Sequence, residues 1–237
     1  YNEILFNKSI NNIKAKNIFK KVEKNIKVGS DKNLKIIDIT VEEKPTGEIS
    51  LGAGIGSTGG TLGGGIKENN FLGRGITLDS SLALTADTIK GQFVYSKPNF
   101  AYTDNTLFTS IESTSNDKMK VYGYKTTGMG FALSTKFEQY DNLFFRPEIS
   151  TNTEKLETNS TATSELKAQN GDYFDANFNY SLDYDLRNKR YQPSDGYRTI
   201  FSQDLPLISN TYEIINTLLI SKYKPLVSGM IGEISFY

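Results

Sequence analysis

The 237-residue chain balances 27 Lys+Arg against 27 Asp+Glu, so its formal net charge is zero and nucleic acid or another polyanion has no electrostatic footprint to bind. Cys and His are both absent, which removes disulfides, thiolate metal sites, Cys nucleophiles, Ser-His-Asp catalysis and HExxH zinc sites together. No run of about 18 apolar residues occurs, so no transmembrane helix is expected, although strands of a membrane barrel, only half apolar, escape that test.

The sequence starts at Tyr1 without a signal peptide and stops within the strand-like "MIGEISFY", so it reads as a piece of a longer protein. In residues 1–46, Ile4, Leu5, Ile10, Ile13 and Ile18 recur at roughly helical spacing, and a helix is expected over Asn7–Phe19 with its lysines on a solvated face. Val22–Val28 and Leu34–Val41 follow as two strands, joined by "GSDKN" into a hairpin. A helix on one hairpin is too little for a whole domain, so residues 1–46 read as the C-terminal part of a small α+β module, closed by the punctuation Pro45-Thr46-Gly47.

From residue 47 to residue 237, alternation replaces helical periodicity. In "FDANFNYSLDYD", Phe174, Ala176, Phe178, Tyr180, Leu182 and Tyr184 take one face and polar residues the other. That strict alternation outlasts a typical globular strand of about five or six residues and suits a membrane-spanning one. Strands are expected at about Glu48–Gly56, Thr61–Asn69, Gly75–Leu84, Lys90–Lys97, Thr106–Ser113, Tyr124–Lys136, Leu143–Thr151, Tyr173–Tyr184, Tyr197–Asp204, Tyr212–Tyr223 and Met230–Tyr237. The fold class is therefore mainly β: an antiparallel meander of about eleven strands forming part of a transmembrane β-barrel, preceded by the partial α+β module. Ser57–Gly60, Thr85–Ile89, Thr114–Gly123 and the long polar Asn152–Asp172 are expected as turns on one side, with tighter turns on the other. Aromatic residues such as Tyr95, Phe137, Phe145, Tyr184 and Tyr197 cluster near strand ends, as interfacial girdles do. The outward, lipid-facing set includes Leu51, Ala53, Ile55, Leu62, Ile66, Leu78, Leu82, Phe93, Phe178 and Leu182.

Two patterns invite a chemical reading. Gly54–Gly59 is a literal G-x-G-x-x-G, but a dinucleotide site needs a helix after the glycines, and the alternating "TLGGGIKE" follows instead. The expected arrangement is strand, glycine turn, strand, with Ile49, Leu51, Ala53 and Ile55 on one face and Ser50, Gly52, Gly54 and Gly56 on the other, giving a thin, loosely paired and tightly turned first strand. Asp183 and Asp185 share a face about 7 Å apart, a spacing an inverting glycosidase could use, but beside Arg187 and Arg190 they read as a lumenal ion-pair network.

Five stretches, in order and spacing, resemble the BamA family of outer-membrane barrel-assembly factors. Residues 1–46 resemble the second half of the family's last POTRA module, with "KNIFKKV" standing where the family has a helix end, an aromatic and then a strand, and "EEKPTGEISLGAGIG" resembles its module-to-barrel junction and first barrel strand. "KENNFLGRG" resembles the turn after the second strand, matched by Asn70, Phe71, Leu72, Gly73 and Gly75, and "SKPNF" the Pro-containing end of the fourth. "DLRNKRYQPSDGYR" resembles a D-x-R-x(5)-P-x-x-G turn, matched by Asp185, Arg187, Pro193 and Gly196. The family's Arg-Gly-Phe loop and its last strands have no counterpart here, so its inward loop and closing seam are not carried over.

The resemblance implies folding and insertion of β-barrel proteins into the outer membrane, with residues 1–46 in the periplasm and no enzymatic activity or cofactor. The implied partners are outer-membrane protein substrates, assembly-complex lipoproteins reached through POTRA modules, and the lipid bilayer. The implied templating edge is Glu48, Ile49, Ser50, Leu51, Gly52, Ala53, Gly54, Ile55 and Gly56, since an unpaired strand offers its N–H and C=O groups to an incoming one. A related POTRA-barrel pore secreting a passenger polypeptide is the alternative; a plain porin would have no use for the helix–hairpin segment.

Overall fold

The computed structural model describes residues 1–31, 34–56, 59–103, 105–189, 192–227 and 229–236. Helix α1 (Glu3–Ala15) starts because the Asn2 side chain accepts from the Ile4 and Leu5 N–H groups, with Glu3 in the first turn. It begins and ends earlier than the apolar spacing suggests: Asn17 takes φ 54°, so Ile18 and Phe19 leave the helix, and Phe19 opens the next strand. Ile10 and Phe6 are buried against the hairpin β1 (Phe19–Val28) and β2 (Lys35–Glu43), while Ile4 and Leu5 are exposed. Val22 pairs with Val41 and Ile26 with Ile37, and Lys24 reaches over the Phe6 ring to Asn7 Oδ1 at 2.7 Å.

Eleven strands then form one antiparallel sheet in which every strand pairs only with its sequence neighbours. They are β3 (Gly47–Gly56), β4 (Gly59–Phe71), β5 (Ile76–Thr85), β6 (Thr88–Lys97), β7 (Thr106–Lys118), β8 (Tyr124–Tyr140), β9 (Leu143–Thr158), β10 (Gly171–Asp185), β11 (Gly196–Ile208), β12 (Ile215–Val227) and β13 (Met230–Phe236). The expected strands are all present. Among the described residues this sheet does not close on itself, and β3 and β13 are its two edges.

Register aligns side chains of like facing into rows that run from β3 to β11. On the outward face, Ile49, Ile66, Ser80, Phe93, Ile111, Phe131, Thr151, Ala176 and Ile208 stand side by side in one row. A lower row contains Phe145, Leu182, Phe201 and Leu218. Facing the other way, Ser50, Gly65, Ser81, Gln92, Glu112, Gly130, Asn152 and Asp175 form an equally continuous polar row. The outward aromatics meet at one end of β8–β11, where Phe137 packs edge-on to Phe145 at 5.3 Å and Tyr184 to Tyr197 at 6.0 Å.

Among the described residues no large side chain is fully buried, and Leu51 and Ile55 are 86% and 95% exposed. A soluble sandwich would cover its apolar face with a second sheet; among the described residues nothing covers this one, and a contiguous apolar surface of this extent marks a contact with lipid or with another protein surface.

The largest departures from the expected boundaries lie at the far end of β7–β10. The expected loops Thr114–Gly123 and Asn152–Asp172 shrink to Met119–Gly123 and Asn159–Asn170 because β7 and β9 continue to Lys118 and Thr158. Both faces are polar there, so alternation loses its contrast while the ladder goes on. The remaining loop is ordered: it contains α2 (Ser164–Ala168), Asn159 donates to the Gly123 carbonyl at 2.8 Å, and Leu156 and Ala162 are buried. β12 likewise runs from Ile215 past Pro225 to Val227, with the register shifting at that proline.

The two faces predict different tolerances. Ile111→Lys on the outward face should cost about 2–4 kcal/mol of stability in phospholipid vesicles, the range for a cation placed on a lipid-facing barrel position, whereas inward Ser110→Lys should cost under about 1. Urea unfolding in vesicles measures both, and equal costs would overturn the assignment of the faces.

Candidate functional site

β3 is the first edge of the sheet and pairs with β4 from Gly47↔Glu68 to Gly56↔Gly59 without a bulge. The expected loose pairing is not observed; what the glycines produce is thinness. A Cβ added at Gly52, Gly54 or Gly56 would meet nothing within 4 Å, so the inward side of the strand is bare backbone. Outward, Leu51 lies over Gly64 of β4, its Cδ2 3.1 Å from where a Cβ would be. The opposite backbone edge of β3 has no partner strand among the described residues. All nine residues from Glu48 to Gly56 lie on this edge strand. The G-x-G-x-x-G pattern spans the β3–β4 hairpin, so strand follows strand and no helix N-terminus is available for a phosphate; Ser57 and Thr58 lie outside the described residues.

The matched turn after β4 folds back on the segment that leads into β3. Asn70 is buried, and its Oδ1 accepts from Gly75 N–H at 2.7 Å. Its Nδ2 donates to Glu43 Oε2 at 3.3 Å, and its backbone N–H donates to Glu68 Oε1 at 2.7 Å. The same Glu68 oxygen accepts from the Thr46 hydroxyl. Asn69 Nδ2 donates to the Thr46 carbonyl at 3.2 Å and to Glu48 Oε1 at 3.4 Å. Leu72, Gly73 and Gly75 turn the chain with positive φ, and Gly73 lies close to the Glu43 carboxylate. Phe71 and Leu72 are exposed, so they contribute to the surface and not to the turn's internal bonding.

At the same end of the sheet, the turn after β10 is held by ion pairs. Arg187 clasps Asp185 through Nε and Nη2, both at 2.8 Å, and Arg198 clasps Asp183 at 2.8 and 2.7 Å. These bidentate pairs hold each partner in a fixed plane. The Asp185 hydrogen bond, above all, raises the Arg187 pKa above its ordinary value. The chain then returns with Leu186 N–H donating to Tyr197 O at 2.9 Å. Gly196 has φ +100°, and a Cβ there would stand 2.2 Å from Leu186 O, so no other residue fits without moving the backbone. Pro193 lies half-buried in the intervening loop, and Arg190 falls outside the described residues. With Asp183 and Asp185 each engaged by an arginine, the ion-pair reading holds, and the pair is not arranged as a free acid and base.

Glu43, Thr46, Glu68, Asn69 and Arg198 complete these constellations, and motif matching did not single them out. Arg198 was accessible in principle, because antiparallel pairing places it opposite Asp185 on the inward face. Thr46 carried no such signal, since "KPTG" reads only as a boundary.

The Omp85 superfamily domain matches residues 70–232. The fold is similar to BamA from Haemophilus ducreyi lacking POTRA domains 1–3, with TM-score 0.74 and 21% identity over 94% of this chain and 46% of that one. It is also similar to CdiB from Acinetobacter baumannii, TM-score 0.59 at 11% identity over 94% and 46%, and to CdiB from Escherichia coli, TM-score 0.53 at 13% identity over 90% and 44%. This chain therefore spans less than half the length of each. No curated protein matches its sequence.

The Asp185–Arg187 clasp predicts strong coupling. Asp185→Ala should cost about 2 kcal/mol, as for a hydrogen-bonded charged partner left unpaired, and the Asp185→Ala/Arg187→Ala double variant should cost less than the two singles together. A double-mutant cycle in urea unfolding measures this; strict additivity would mean that the pair is not coupled.

Proposed function

The chain belongs to the Omp85 superfamily, and from that premise we propose that it is the first part of an outer-membrane barrel that folds and inserts other β-barrel proteins, with β3 as the templating edge. The observation that carries this reading is an uncovered apolar sheet whose first strand is thin, regular and unpaired along one side. In lipid an unmet backbone polar group costs several kcal/mol, so a strand with free N–H and C=O groups lowers the barrier to inserting another beside it. The reaction is exchange of hydrogen-bond partners, with no covalent bond made or broken and no cofactor.

On this reading α1, β1 and β2 are the end of a periplasmic POTRA module. The structural similarity to BamA supports this, because it extends over more of the chain than the sheet alone occupies. Upstream modules of that kind would recruit assembly lipoproteins. The rim bearing the Asn70 and Asp185 turns then faces the periplasm, and the ordered Asn159–Asn170 loop faces the exterior.

The polar inward face favours a second reading on the same framework, a pore through which a passenger polypeptide is secreted. The two readings place the client differently. Cysteines at Ser50 and Gly54 of an active full-length protein should cross-link to a nascent barrel substrate, and inward Asn177 should not. Absence of capture at both edge positions would sink the templating role, and capture of a passenger at Asn177 alone would establish the pore.

A further inference from the structure

We infer that the end of β4, with the turn that follows it, is a positioning clasp for the edge strand, fixing the angle at which the helix–hairpin unit meets β3, with Glu68 and Asn70 as its positioning residues. This rests on the reading of β3 as the working edge, but its test does not use the client.

Residues 44–46 belong to neither sheet. Above them, the β3–β4 ladder begins at Gly47↔Glu68; below them, Lys44 is held by the helix–hairpin unit, its N–H donating to Ile18 O at 3.2 Å and its Nζ to Asn17 Oδ1 at 2.7 Å. Pro45 has no N–H to offer. A junction of this kind would ordinarily be a free hinge. Here side chains from the last residues of β4 take up its polar groups. Glu68 accepts from the Thr46 hydroxyl, Asn69 donates to the Thr46 carbonyl, and Asn70 donates to Glu43, the last residue of β2. Asn70 thus bonds the hairpin through Nδ2 and its own turn through Oδ1, which ties the two units into one frame. The turn and the hairpin are linked by these bonds at the base of the strand whose outer edge is free. Orientation of the preceding module and exposure of the edge are therefore mechanically connected.

Residues 1–237 contain no cysteine, so spin labels placed at Thr40 in the hairpin and Asp141 in the β8–β9 turn of the full-length protein, with any cysteine outside these residues replaced by serine, allow distance measurement in vesicles without client. The unsubstituted chain should give one narrow distribution. Glu68→Ala should broaden it at least twofold, Glu68→Gln, which keeps an acceptor oxygen, should restore it, and heat-modifiable electrophoretic mobility should stay that of a folded barrel throughout. Thr46→Val removes the hydroxyl without touching the sheet and should also broaden the distribution, so the idea stays testable if Glu68→Ala does not fold. A distribution as narrow as the parent's in Thr46→Val, and in Glu68→Ala where it folds, would overturn the clasp. Failure of client capture at Ser50 and Gly54 with a broadened distribution would instead remove the templating role and leave the clasp standing.

Discussion

Antiparallel pairing without crossover is the constraint on which the rest of this structure depends. When each strand lies beside its sequence neighbour and side chains alternate, partners across the ladder share a face. An error of one residue in any strand would send its apolar set inward and break the row from Ile49 to Ile208. The observed shifts fall at Ala176/Asn177, at Pro225/Val227 and near the lower ends of β4 and β8, toward strand ends where facing matters least. The sheet consequently has an apolar and a polar side but no interior. Its stability must therefore come from what surrounds it.

The rim near the helix–hairpin unit is organised on a different principle. There the backbone turns sharply, regular pairing ends, and polar side chains complete the hydrogen bonding. Asn70 does this for a neutral turn and Asp185 with Arg187 for a charged one. Both turns combine a fixed backbone shape with a side chain that can satisfy more than one group, which is why they have recognisable residue patterns. The opposite rim is built from extended ladders and one clasped loop, and its sequence carries less punctuation.

These physical differences explain what could be read from the residues. Period-2 contrast made the strands visible wherever one face was apolar, so β10 was delimited almost to the residue from its alternation. Where β7, β8 and β9 rise beyond the apolar band, Thr, Ser, Asn and Lys occupy both faces and the pattern fades although pairing continues. The helix was displaced because Ile18 mimics the next position of an apolar stripe, while its actual limits are set by the Asn2 cap and the left-handed Asn17. The clasp at the junction was hidden for another reason. It depends on Thr46 meeting Glu68 and Glu43 meeting Asn70 across more than twenty residues of chain, and single-residue chemistry does not announce such meetings.

The meander also has a kinetic meaning. The most widely separated partners in the whole ladder are Leu143 and Tyr184; every other pairing is closer along the chain. A wall built this way can zip up from local hairpins, each strand templated by the one before, with little loop-closure entropy to overcome at any step. Pairing on the outer side of β3 lies outside this process, because no strand among the described residues competes for it. Local zipping of the described strands therefore leaves the outer side of β3 unconsumed, and separation in time, as much as separation in space, keeps that side open.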